Sequence, residues 1–304
     1  MTVRNSLATK IRRNLHWGRT HGWANLLEEH DLQPTVRARR MAAALRWRAG
    51  NPRPTTITTT FVVGAQRSGT NMMVYGLGNA PEVVMYNEGD RRAYRNFALR
   101  SDERLAELVA GSRYPHVVFK PLLDSHRTLD LLSLPTLEGP TRAVWAYRDV
   151  DGRVRSYLAK FGDINLRVMQ ALARGGARNH WQTQGIAEAD AAWVASLDVD
   201  RMTPESGAAL FWYLRNRLYF TLGLDRRDDV RLARYGDFTR DPEAAMSDLC
   251  AFLGITYRPA LVAHIERRPA ATRAPLDIDP AIRERCEALG AQLDHAARVG
   301  QVEG

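Results

Sequence analysis

The chain has 304 residues, 45% of them hydrophobic and 25% charged, with a net charge of +9, which is material for one large α/β domain. It contains no run of 18 apolar residues, which argues against a transmembrane helix, and charges run through its first 23 residues, which argues against a secretory leader. Its two cysteines, Cys250 and Cys286, give no basis for a disulfide framework or a metal site, so the expected setting is a reducing cytoplasm.

The positive charge suits a polyanionic donor, an anionic acceptor or a membrane surface. It is spread along the chain, and no helix-turn-helix, zinc-finger or RNA-recognition signature accompanies it, so nucleic acid is not an expected partner.

Residues 1–50 read as a basic helical extension. Arg12, Arg13, Arg37, Arg39, Arg40, Arg46 and Arg48 alternate with Leu15, Trp17, Trp23, Leu26, Leu27, Leu45 and Trp47. The favoured reading is a helical hairpin packed on the domain with its basic face in solvent; the alternative is a peripheral membrane contact. Asn51 to Pro54 breaks the chain.

Residues 61–73, FVVGAQRSGTNMM, read as a short apolar strand, a Gly-containing loop and a helix starting near Thr70. The first N–H groups of a helix lack intrahelical partners, and the macrodipole favours negative charge there. Gly64 and Gly69 allow backbone N–H groups to crowd around a phosphate. Their spacing is that of a nucleotide-binding P-loop, but Thr70 stands where the lysine belongs, and the cation lies three positions earlier at Arg67. This disfavours a site built for a γ-phosphate and Mg²⁺. An ordinary strand–turn–helix with a surface arginine is the bland alternative.

The next elements are a helix over 70–80, a strand over 83–86, a helix over 91–110, a strand over 117–120 and a helix over 125–133. A strand over 143–147 and a helix over 150–160 follow. Such alternation implies a parallel sheet with helices on both faces, a P-loop-like α/β fold. Ligands of these sheets bind beyond the carboxyl ends of the strands. Arg67, Glu88, Lys120 and Arg148 each follow a strand end, so four segments could point into one crevice. Residues 160–228 read as mostly helical, and the aromatic helix over 205–222 suits a core or the wall of an apolar acceptor pocket. A strand over 230–235 leads to a helix capped by Asp241 and Pro242 and closed by Gly254.

Three of these segments resemble the sulfotransferases that use 3′-phosphoadenosine 5′-phosphosulfate (PAPS), in their bacterial and Golgi-type branch. RSGT after a strand resembles the family's 5′-phosphosulfate loop. The segment AVWAYRDVDGRVRSYL resembles its strand ending in Arg-Asp, with a serine eight residues beyond the arginine. The segment VRLARYGDFTRDPEAAMSDLCAFL resembles its late strand and helix. The resemblance covers about residues 60–260; the α/β domain it implies spans 55–260, with 160–228 forming its helical acceptor side and 261–304 completing it as a loop and helix.

The resemblance implies that Arg67, Ser68, Gly69, Thr70 and Asn71 hold the 5′ end of PAPS, that Arg148 and Ser156 hold its 3′-phosphate, and that Tyr235 lies near the nucleotide. It implies Lys120 at the leaving oxygen or a sulfuryl oxygen, with no metal. Glu88, 21 residues after Arg67, falls near the offset where tyrosylprotein-type relatives place a base. The soluble branch instead uses a histidine two residues after the strand-end lysine; that position is Leu122 here, which leaves His126 as the fallback base and Asp90 as another carboxylate nearby. Each residue also has a structural alternative. Arg148 could pair with Asp149 or Asp151, Glu88 could cap a helix or pair with Arg91 or Arg92, Lys120 could be a surface lysine, and Tyr235 could lie at the core edge. The expected activity is transfer of the sulfuryl group to a hydroxyl of a carbohydrate, lipid or other small molecule by a bacterial cytoplasmic enzyme. A P-loop kinase and a non-catalytic nucleotide-binding module are the competing readings.

Overall fold

The computed structural model describes residues 34–268 and 274–302. Five parallel strands form one sheet: β1 (Thr58–Gly64), β2 (Val83–Tyr86), β5 (His116–Phe119), β6 (Thr141–Tyr147) and β7 (Val230–Arg234), in the spatial order β2-β5-β1-β6-β7. A small antiparallel pair, β3 (Tyr94–Arg95) and β4 (Ala98–Leu99), stands apart.

The apolar strand runs are buried on both faces because strand side chains alternate. Phe61, Val63, Val117, Phe119, Ala143 and Trp145 join one core, while Val62, Val118, Val144 and Ala146 join the other. The fold is therefore α/β, with a parallel sheet covered by helices on both sides. Among the described residues its helices, in chain order, are α1 (Pro34–Gly50), α2 (Thr70–Leu77), α3 (Asp102–Ala110), α4 (Thr128–Leu132), α5 (Val150–Phe161), α6 (Ile164–Ala173), α7 (Glu188–Ala195), α8 (Pro204–Thr221), α9 (Tyr235–Arg240), α10 (Pro242–Leu253) and α11 (Pro280–Val302).

Three sequence expectations change. The helix expected over 91–110 starts only at Asp102, where Ser101 caps it. Ahead of it, the Tyr94 hydroxyl accepts from Lys120 N (2.8 Å) and donates to Tyr86 O (3.2 Å), pinning this stretch to two strand ends in a non-helical path. The helix expected over 125–133 is a 3₁₀ turn, Ser125–Arg127, followed by the short α4. Tyr235 opens a helix rather than ending a strand.

Only the latter part of the basic extension, α1, lies among the described residues; Arg12, Arg13, Leu15, Trp17, Trp23, Leu26 and Leu27 lie outside them. α1 leans on the domain without burying a residue. Arg40 stacks on Tyr75 and donates to Asn79 Oδ1 (2.6 Å) and Tyr75 O (2.8 Å). No helix among the described residues is long and apolar enough to cross a membrane.

Candidate active site

Because every strand of the sheet runs the same way, five segments leave it at one edge: the loop after β1, residues 87–88 after β2, Lys120 after β5, Arg148 after β6 and Tyr235 after β7. The register fixes their order. Gly64 pairs with Ala146, Phe61 with Phe119, and Tyr86 with Phe119.

The loop between β1 and α2 has a backbone that few residues tolerate. Gly64 has φ 122°, and a Cβ there would lie 2.2 Å from the Ala146 carbonyl oxygen. Gly69 has φ 90°, and its Cβ would lie 2.5 Å from the Tyr235 ring. Arg67 itself is left-handed, at φ 70°. A non-glycine residue held there stores strain, which is a pattern of functional loops. Ser125, on the segment after β5, braces the first glycine: its Oγ accepts from Gly64 N and donates to Gly64 O, both at 3.2 Å.

Arg67 reaches across the sheet edge and donates from Nε to Ser156 Oγ (3.0 Å), on α5. Arg148 lies over the start of the same helix, its guanidinium carbon 4.2 Å from the centre of the Tyr235 ring. A Cβ at Gly152 would lie 2.8 Å from Arg148 Nε, so glycine there makes room for the arginine. Asp149 caps α5 by accepting from Gly152 N (2.6 Å), and its other oxygen lies 3.8 Å from Arg148 Nε. Tyr235 is thus wedged between Gly69 and Arg148. The structure brings together Arg67, Gly69, Arg148, Ser156 and Tyr235, from three separate stretches of sequence. Arg67 and Ser156, assigned from sequence to opposite ends of one ligand, touch each other.

A second group sits beside it. Lys120 Nζ lies 3.0 Å from Glu88 Oε2 and donates to Asn71 Oδ1, on the first turn of α2. Both charged side chains are largely buried. The tyrosine hydroxyl that anchors residue 94 holds both strand ends from which Glu88 and Lys120 emerge. Arg92, one of the alternative partners for Glu88, pairs instead with Asp90 at 2.6 Å. His126 has a different set of neighbours. Its electrostatic neighbours are Arg215, Asp124 and Arg127, and burial first, then the Arg215 charge, lowers its pKa from the usual value. Ser68 is fully buried and its Oγ has no partner, and Thr70 is buried at the first position of α2. Among the described residues no cluster of His, Cys, Asp and Glu could hold a metal ion.

Two arginines escaped the sequence reading. Arg153, on α5, is completely buried; its Nε donates to Gln66 O (3.1 Å), and its Nη1 donates to Asn165 Oδ1 (3.0 Å) and Ala208 O (2.9 Å). Burial pushes it down to about 9. Holding the Gln66 carbonyl inward turns the Arg67 N–H the opposite way, since the two are antiparallel in a trans peptide. A signal was there to find: Val150, Arg153, Val154 and Tyr157 share one stripe of α5, so an arginine stands in an apolar face. Arg215, on α8, is 1% exposed and donates from Nη2 to Leu122 O and Leu123 O, both at 3.0 Å.

No family model matches the sequence, and no curated protein matches it. Solved structures do. Its structural neighbours are sulfotransferase domains. The sulfotransferase domain of the Synechococcus PCC 7002 olefin synthase aligns with a TM-score of 0.43 and 14% identity, over 78% of this chain and 97% of that one. The sulfotransferase domain from the curacin biosynthetic pathway aligns with a TM-score of 0.46 and 12% identity, over 80% and 98%. A sulfotransferase from Alicyclobacillus acidocaldarius aligns with a TM-score of 0.42 and 16% identity, over 82% and 95%.

Proposed function

We propose that the chain is a PAPS-dependent sulfotransferase that moves the sulfuryl group to a hydroxyl of a carbohydrate, lipid or other small molecule. The observation that supports this most is the joined cluster of Arg67, Gly69, Tyr235, Arg148 and Ser156. It offers two guanidinium groups, a hydroxyl and a helix N-terminus to a ligand with phosphates at two ends. In this reading Arg67 and the N–H groups of Ser68, Gly69 and Thr70 bind the 5′-phosphosulfate, with Asn71 fixing the position of Lys120. Arg148 and Ser156 bind the 3′-phosphate, and Tyr235 lies beside the nucleotide.

The donor supplies an activated sulfuryl group. The acceptor oxygen forms a new bond to sulfur as the bond from sulfur to the 5′-phosphate oxygen breaks, and adenosine 3′,5′-bisphosphate leaves. Lys120 neutralises charge on the leaving side. Glu88 takes the acceptor proton, a role supported by its 3.0 Å contact with Lys120. No metal is required in this scheme.

Thermal shift tests it. Adenosine 3′,5′-bisphosphate without metal should raise the melting temperature, and Mg-ATP should not. A response to Mg-ATP alone would overturn the reading in favour of a kinase. A response to the bisphosphate with no sulfated product from any acceptor pool would favour a binding module.

A further inference from the structure

The acceptor side of the site contains a buried cation that the scheme above does not use. Arg215 has lost contact with solvent, yet two of its three guanidinium nitrogens, Nε and Nη1, have no partner. A guanidinium carries five N–H donors and a permanent charge, and burying it without an anion is costly. Asp124 acts on it through space but makes no hydrogen bond or direct ion pair with it. Asp124 accepts from Leu99 N at 2.9 Å and lies 4.0 Å from Arg127 Nη1. Beside Arg215 stands His126, whose Nδ1 is also buried without a partner.

The position of this group is defined by what it holds. Arg215 grips the carbonyls of Leu122 and Leu123, the second and third residues after Lys120. The same segment carries Ser125, which braces Gly64 of the loop. The guanidinium therefore lies beside the transfer point, on the β5 side, away from Arg148 and Ser156 after β6. Trp181 covers it, the guanidinium carbon lying 5.6 Å from the ring centre, and Gly185 packs on His126. Both belong to the stretch between α6 and α7.

We infer that Arg215, with His126 beside it, is an oxyanion subsite, and that the acceptor carries a carboxylate or sulfate close to the hydroxyl that is modified. This rests on the sulfuryl-transfer reading for the word acceptor, but the subsite itself does not. Entry of the anion requires Trp181 to swing off the guanidinium.

The test uses the smallest oxyanions, so that shape cannot exclude them. Protein saturated with adenosine 3′,5′-bisphosphate, which fills the donor's phosphate sites, is titrated with acetate, inorganic sulfate or neutral acetamide. The Arg215 Nε–H resonance is followed by ¹⁵N-edited NMR, assigned by its loss in Arg215→Gln or, if that variant does not fold, in Arg215→Lys. The expected result is a saturable shift of that resonance with an anion and none with acetamide. A shift with acetate points to a carboxylate-bearing acceptor, and a shift with sulfate alone points to one already sulfated. No saturable shift with either anion, or an equal shift with acetamide, overturns the inference. If the bisphosphate fails to bind, the donor reading falls, and the same titration of the free protein still decides on Arg215.

Discussion

Arg153 gives the sharpest test of how the loop is held. Replacing it by methionine keeps length and apolar contact with Phe211 and Tyr157, over whose rings the guanidinium now lies at 4.6 and 4.3 Å. It removes donors from three acceptors: Gln66 O, Asn165 Oδ1 and Ala208 O. A buried acceptor left unsatisfied costs about 1–3 kcal/mol. Part of that is offset, because a buried charge is removed as well. We therefore expect a modest loss of stability, about 1–3 kcal/mol in a urea titration. The larger effect should fall on the donor. Once the Gln66 carbonyl is released, the Gln66–Arg67 peptide can rotate and the Arg67 N–H no longer points outward. Losing one bond to a charged phosphate is worth about 1.5–3 kcal/mol, or roughly 10- to 150-fold in Kd for adenosine 3′,5′-bisphosphate by calorimetry. Asn165→Ala is the control. It takes away an arm of the same network that does not touch the loop, so it should lower stability and leave that Kd within about twofold. A folded Arg153→Met protein with unchanged affinity would refute the reasoning, and so would an Asn165→Ala variant that loses as much affinity as Arg153→Met.

Arg148→Ala and Ser156→Ala should each weaken adenosine 3′,5′-bisphosphate while leaving adenosine 5′-phosphosulfate nearly unaffected; equal weakening of the two ligands in calorimetry would place these residues elsewhere. Glu88→Gln should keep bisphosphate affinity while transfer falls by roughly 10²–10⁴-fold, and His126→Ala should keep most of kcat at saturating acceptor, with any loss falling on the acceptor KM; the reverse pattern in kcat in a sulfate-transfer assay would move the base to His126. Stability should decline as the pH falls. His116, His126, His180 and His264 are all held below the usual histidine value of 6.5 by burial, so below about that pH the unfolded chain binds more protons than the folded one. The loss should begin near pH 6.5 and level off beneath the lowered folded values; a urea midpoint that is flat or rises from pH 7 to pH 5 would contradict this.

The central strands were legible because each holds a short apolar run whose two faces are both buried, as in VVF before Lys120 and AVWAY before Arg148. Where a local pattern met a tertiary tie, the pattern lost. Residues 91–101 have enough helix formers to read as helix, but the Tyr94 hydroxyl binds two strand ends and holds the stretch as a turn and a short hairpin. Gly64 and Gly69 could be read as loop glycines, yet the reason they are needed lies elsewhere in the chain, in the Ala146 carbonyl and the Tyr235 ring. The buried arginines were the hardest to see. Arginine is abundant in this sequence and mostly exposed, so nothing in composition marks Arg215, and only the apolar stripe of α5 marks Arg153.

The close approach of Gly64 to Ala146 has one more consequence. Ala146 is two residues before Arg148, and Gly64 is three before Arg67, so the two cations are mounted on adjacent strands whose spacing cannot be adjusted. The sheet acts as a fixed calliper. Under the donor reading proposed above, with its jaws at the loop and at the start of α5, it would select a nucleotide by the separation of its phosphates rather than by the identity of its base. Moving a phosphate from the 3′ to the 2′ position should then cost this protein more than exchanging adenine for another purine.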